Sequence, residues 1–282
     1  MKLVRYGEKG KEKPGALDAD GILRDISAHT PDLAGDAVSL AAIDRLKGLD
    51  LGMLPEVSDS PRFGACLASV PNFHCVGLNY VNHAKESGMD APTEPVLFSK
   101  ATSALSGPFD PVIIPKDSTK PDWEVELGVV IGERVTHISE ADALSVVSGY
   151  CVINDVSERS FQLERLGQWV KGKSAPTFGP TGPWLVTADE VPDPQNLAVS
   201  LSVNGEVQQS SNTADMIFSV AEIVSYMSRF MELLPGDIIA TGTPEGVGMG
   251  QKPQRWIQPG DVMEVEVQGL GRQRQEARAF PG

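Results

Sequence analysis

Cysteine is nearly absent from this chain: Cys66, Cys75 and Cys151 are its three copies in 282 residues. An odd number without metal-type spacing, set beside apolar residues, argues against a disulfide framework or a thiolate metal site. Buried thiols in a reducing cytoplasm are the expectation. Long hydrophobic runs are also missing, which excludes a membrane-spanning helix. The opening residues Met1 to Tyr6 begin like a strand and lack the apolar core of a signal peptide. Basic residues are few, 24 against 38 acidic ones, giving a formal charge of −14. That balance argues against nucleic acid or an anionic membrane as partner. A small acidic substrate would need local positive charge from a metal ion or a lysine.

What is present is organised around Asp122 to Gly132 (DWEVELGVVIG). Apolar residues alternate with others until a glycine closes the run, the pattern of a strand. Side chains two apart share a face, so Glu124 and Glu126 project together while Val125 and Leu127 point the other way. Neighbouring carboxylates resist joint ionisation unless a cation lies between them. Ser145 to Val156 reads as a second buried strand with Asp155 at its end, where an unpaired carboxylate is costly to bury. Convergence of Glu124, Glu126 and Asp155 would form an all-oxygen site suited to Mg²⁺, Mn²⁺ or Ca²⁺.

Residues 1–70 mix short strand-like runs (Lys2 to Tyr6, Gly21 to Ile26) with turns and one or two short helices within Ser39 to Leu51. They read as a small supporting N-terminal domain, with the boundary near Val70-Pro71 and residues 71–282 as the main unit. Phe73 to Leu78 reads as a buried strand leading into Asn79 to Gly88. If that segment is helical, His83 and Glu86 lie three apart on one face and can meet. A histidine beside a carboxylate has the makings of a base that takes a proton from water. Gly88 to Pro95 reads as a mobile loop, which would put the pair on a lid.

Further along, Ser157 to Trp169 carries a helical pattern containing Gln162, and Lys171 to Pro180 reads as a loop carrying Lys173. Asn204-Gly205 between alternating runs signals a hairpin. Ser219 to Leu234 is the clearest helix, with Ser219 and Glu222 fitting a capping box. The Thr241 to Gly250 loop holds four glycines and could offer backbone N–H groups to an anion, without matching a nucleotide fingerprint.

Tyr80-x-x-His83-x-x-Glu86, Glu124-x-Glu126-Leu127, Asn154-Asp155-Val156, Gly172-Lys173-Ser174 and Gly236-Asp237 to Gly248 occur in this order. Together they resemble the fumarylacetoacetate hydrolase family, in particular its shorter prokaryotic members that act on 2-oxo and 2,4-dioxo acids. The resemblance spans roughly residues 72 to 270 and implies a mostly β (α+β) fold, a mixed β-sheet roll with a small N-terminal domain, in a homodimer or higher homo-oligomer. It implies Mg²⁺ or Mn²⁺ on Glu124, Glu126 and Asp155, a catalytic His83–Glu86 dyad with Lys173 and Gln162, and substrate contacts from Tyr80, Lys100, Thr241 and Gly242. The implied reaction is hydrolytic C–C cleavage of a 2,4-dioxo acid to pyruvate and a second acid. The sequence is similar to members acting on 2,4-diketo-3-deoxy sugar acids such as the L-rhamnonate or L-fuconate derivatives, which release lactate. Ureidoglycolate lyase, oxaloacetate decarboxylase, acylpyruvase, hydratase and isomerase are the family alternatives; a non-catalytic metabolite-binding protein is the remaining one. Two positions depart from the family pattern, with Leu78 where an arginine is common and Pro176 where an aspartate is.

Overall fold

A computed structural model describes residues 1–282. Its main feature is a ten-stranded mixed sheet. Across it run Leu23–Asp25, Lys13–Leu17, Lys2–Tyr6, Gly179–Thr187, Val147–Asn154, Val125–Ile131, Ile238–Ala240, Phe73–Gly77 and Val96–Lys100, with Leu105–Ser106 joining Gly179–Thr187 off this path. A second sheet of five strands orders Glu206–Asn212, Ala198–Val203, Val262–Val267, Gly271–Ala279 and Val112–Ile114. Most pairings are antiparallel, but Ile238–Ala240 runs parallel to Phe73–Gly77. The architecture is the mostly β roll expected.

Strand Val125–Ile131 is central and buried along its whole length. Val125, Leu127, Val129 and Ile131 enter a core shared with Val199, Leu201 and Val265 of the five-stranded sheet. The alternate residue Val130 packs on the other side with Cys151, Ile153 and Leu3. Gly128 lies on that second face, where a Cβ would come within 2.6 Å of Ile153 and 2.7 Å of Cys151. Two-sided burial leaves no solvated face for Glu124 and Glu126, so their charges must be met inside the protein.

The first 70 residues, expected as a small domain, add three strands to the edge of this same sheet. Lys2 pairs with Val186 and Leu3 with Leu185, and Leu3, Ile26 and Leu33 share one apolar core with Val130 and Ile238. A strand edge needs hydrogen-bond partners, and the open side of Gly179–Thr187 provides them.

Asn204 and Gly205 join Ala198–Val203 to Glu206–Asn212 with φ of 54° and 79°, the left-handed pair that a two-residue hairpin requires. The capping box of Ser219 and Glu222 forms on both sides. Its helix is shorter than expected, Val220–Met227. Ser228 Oγ is held by Ile138 N–H, and Leu233 exchanges backbone hydrogen bonds with Val135, which pulls the chain out of the helical path. The helix expected over Ser157 to Trp169 is confined to Arg159–Leu163. Past it Leu166 is 96% exposed at φ 62°, so its apolar side chain has no core to hold a further turn.

Candidate active site

Asp155 follows directly on strand Val147–Asn154, whose Ile153 pairs with Glu126. That register places one oxygen each of Glu124, Glu126 and Asp155 within 4.8 Å of one another, all three buried. Lys173 Nζ donates to Glu124 Oε2 and Asp155 Oδ2 at 2.7 Å each. It is 1% exposed, and sits on Val170–Lys173, a single helical turn inside the segment expected to be a loop. Gly172 permits that placement: a Cβ there would lie 2.5 Å from Glu158 O and 2.6 Å from Gln162 N. Lys171, by contrast, stays exposed.

Sequence reasoning missed two members of this cluster. Arg159 donates from Nε to Asp122 Oδ2 at 2.9 Å, from Nη2 to Glu124 Oε1 at 2.6 Å and from Nη1 to Gln162 Oε1 at 3.0 Å. Its position three residues before Gln162 on a helical pattern was the available signal. Asp122 is fully buried, and also accepts N–H bonds from Gly248 (2.7 Å) and Met249 (3.1 Å).

Burial alone would raise the pKa of Glu124, but Lys173 and Arg159 outweigh it and hold the carboxyl far below its ordinary value. Burial likewise opposes charge on Lys173, yet Asp155 and Glu124 keep it firmly protonated. Glu126 is the exception. Burial, reinforced by Asp155 and Glu124, pushes its pKa well up. Asp122, Glu124 and Asp155 have ion-pair partners among Lys100, Arg159 and Lys173; Glu126 has only the Gly242 N–H at 2.8 Å. A buried carboxylate with no cation, beside two others, fits a hard divalent ion, and the three-oxygen donor set suits Mg²⁺ or Mn²⁺.

His83 and Glu86 meet as expected on helix Val81–Glu86, with Nδ1 and Oε1 2.9 Å apart. The pair is docked: Glu86 Oε2 accepts from Gly246 N at 2.9 Å. The glycine-rich loop therefore spends its N–H groups on the chain's own acids, Gly242 on Glu126, Gly246 on Glu86, and Gly248 on Asp122. No substrate anion is needed to satisfy them.

A small cavity is lined by His83, Glu124, Glu126, Arg159, Gln162 and Lys173, together with Thr243 and apolar residues including Leu78. The four residues assigned to substrate contact are placed behind it. Lys100 Nζ is spent on Asp155 and Val156 O. Thr241 Oγ1 bonds Leu127 O at 2.9 Å, and the hydroxyl on the cavity wall belongs to Thr243. Gly242 serves Glu126, and Tyr80 is buried outside the lining. Pro176 does not reach the wall either.

Two buried carboxylates, a committed lysine and a histidine paired with Glu86 around one cavity define an enzyme-type site. The fumarylacetoacetate (FAA) hydrolase C-terminal family model matches residues 72–278, and the chain belongs to that family. A Burkholderia multivorans protein carrying only a general hydrolase name is 57% identical over 99% of both chains. Among solved structures, a fumarylacetoacetate hydrolase from Exiguobacterium antarcticum is 37% identical, covering 99% of this chain and 100% of its own, with a TM-score of 0.88. The 2-hydroxyhepta-2,4-diene-1,7-dioate isomerase of Mycobacterium marinum is 30% identical, covers 100% of both and has a TM-score of 0.75. Family and neighbours together make this chain a hydrolase or an isomerase. No helix in it is long and apolar enough to cross a membrane.

Proposed function

We propose that the protein is a Mg²⁺- or Mn²⁺-dependent hydrolase that cleaves the bond between the third and fourth carbons of a 2,4-dioxo acid, releasing pyruvate. The observation that carries this reading is His83, backed by Glu86 from behind, lining the same cavity as Glu124, Glu126 and Lys173. Enolisation and isomerisation can proceed at a metal and a lysine; a base for water is what hydrolysis adds.

Glu124, Glu126 and Asp155 would hold the cation, which supplies Lewis-acid charge to the oxygens of the 2-oxo acid. Glu86 fixes His83 through Nδ1, leaving Nε2 to take a proton from water. The resulting hydroxide adds to the carbonyl at the fourth carbon. As the bond to the third carbon breaks, its electron pair delocalises into the 2-oxo group. Lys173, charged and buried, faces that developing charge, and Gln162 has its amide nitrogen free because Arg159 occupies Oε1. Protonation of the third carbon gives pyruvate, and the fourth carbon leaves as a carboxylic acid.

The sugar-acid derivatives named above are the first substrates to try, and a homodimer or higher homo-oligomer in the cytoplasm is the expected setting. The deciding experiment measures pyruvate release by metal-stripped protein with and without Mg²⁺. Offered in parallel are 2,4-diketo-3-deoxy-L-rhamnonate, a simple acylpyruvate, oxaloacetate and ureidoglycolate (followed as glyoxylate). Mg²⁺-dependent pyruvate from either of the first two supports hydrolysis. Turnover confined to oxaloacetate or ureidoglycolate rejects it.

A further inference from the structure

Strand Glu206–Asn212 breaks the alternation of its own sheet. Leu201 pairs with Gln209 and Ser202 with Val207, so Gln208 is an extra residue and the strand bulges there. Val207 and Gln209, two apart, would share a face in a regular strand. Instead the apolar Val207 is 64% exposed and the polar Gln209 is completely buried. Hydrophobic packing gives no reason for that inversion; hydrogen bonding does.

Gln209 uses both ends of its amide. Oε1 accepts from the Val125 N–H at 3.0 Å, which fixes the orientation of the group, and Nε2 donates to Thr243 Oγ1 and Pro244 O at 2.8 Å each. Val125 lies between Glu124 and Glu126 in the chain. Thr243 and Pro244 lead to Gly246, whose N–H holds Glu86. Two ties join the strand and this loop directly, Thr243 Oγ1 to Val125 O at 2.9 Å and Trp123 Nε1 to Gly246 O at 3.1 Å. The bulge backs the loop: a Cβ on Gly246 would lie 2.0 Å from Gln208 O. Gln209 thus bridges the strand of the paired carboxylates and the loop that docks the His83–Glu86 helix, while lining no part of the cavity.

We propose that Gln209 is a positioning residue for the reaction: its amide sets the placement of His83 relative to Glu124 and Glu126, and so the approach of the activated water to the substrate. This rests on the hydrolase reading above. A neutral amide suits the position. A carboxylate would turn an oxygen toward Pro244 O, and an apolar side chain would leave the Val125 N–H buried without a partner. A misplacement of about 1 Å between reacting groups can cost ~10² in rate.

Gln209→Met keeps the length of the side chain and removes its hydrogen bonds. The expected result is a fall in kcat of at least ~10-fold, with KM and Mg²⁺ affinity within ~3-fold of the parent. The nitrogen NMR shifts of the His83 ring, assigned by their absence in His83→Ala, should change in the metal-free variant. If Gln209→Met does not fold, Gln209→Asn, whose amide is one methylene short, carries the same measurements. A lowered melting temperature with the parent's kcat and His83 signals means structural support alone and overturns the proposal. Loss of Mg²⁺ binding along with activity overturns it too. The ring signals need no substrate. A parent that cleaves none of the 2,4-dioxo acids therefore sinks the hydrolase reading by itself, while changed His83 signals keep Gln209 as the residue that places His83 and unchanged ones remove it.

Discussion

Asp122 Oδ2 accepts from Arg159 Nε at 2.9 Å, and through that contact a residue with no place in the cavity wall governs two that line it. Arg159 carries the constraint on to Glu124 and Gln162, while the other hydrogen bonds of Asp122 pin Gly248 and Met249. Burial pushes the Asp122 pKa up, with Glu124 adding to the rise, and Arg159 and the Met249 N–H work against this.

Asp122→Ala therefore removes one of the two carboxylates on the buried Arg159, leaves its Nε and the N–H groups of Trp123, Gly248 and Met249 unpaired, and should cost about 3–5 kcal/mol of stability. Asp122→Asn keeps an acceptor for the N–H groups and should cost less. Urea unfolding of the two variants at neutral pH checks the order.

His83→Ala removes the base but no proposed metal ligand. The expected result is a fall in kcat of at least ~10², with Mg²⁺ affinity by calorimetry within a few fold of the parent. Loss of metal binding with the activity would show that His83 holds the site together structurally.

Glu126→Gln takes away the buried carboxylate that lacks a cation. Without metal, the variant should melt at or above the parent temperature, because a charge disfavoured by burial has gone. Added Mg²⁺ should raise the melting temperature of the parent and leave that of the variant unchanged. Differential scanning calorimetry on metal-stripped samples separates the two effects.

A fourth test addresses the attachment of the N-terminal segment. Arg62 donates to Asp110 Oδ1 at 2.6 Å and to Glu12 Oε1 at 2.8 Å. Burial raises the pKa of both acids, but Arg62 overrides it and leaves them depressed. A depressed folded pKa contributes stability above the unfolded value, near pH 4, and that contribution is lost as pH falls through the lower folded pKa. Arg62→Met should cost about 1–2 kcal/mol at pH 7, allowing for partial exposure. The gap between parent and variant should narrow toward pH 3. A gap independent of pH would assign the loss to packing.

Local spacing determined a good deal. Alternation around Glu126 made the strand Val125–Ile131; Glu124, just before its start and outside it, still brings its carboxylate to that of Glu126. The three-residue step from His83 to Glu86 made their contact inside a short helix. Asn204-Gly205 made the hairpin, and Ser219 with Glu222 started a helix. Each of these depends on a few neighbouring residues, whose backbone geometry is the same wherever the segment sits. The tertiary structure alone decided how the charges are met. Lys100 and Lys173 reach Asp155 from 55 and 18 residues away, and Arg159 reaches Asp122 and Glu124 across 37 and 35. The same holds for the glycine loop, whose N–H groups serve Glu126 and Asp122 from more than 100 residues away. It holds too for the edge strand of the first 70 residues, placed by the free hydrogen bonds of Gly179–Thr187. Ion pairs and strand edges select partners by proximity after folding, and burial sets what an unpaired charge costs. Neither proximity nor burial is written in local spacing.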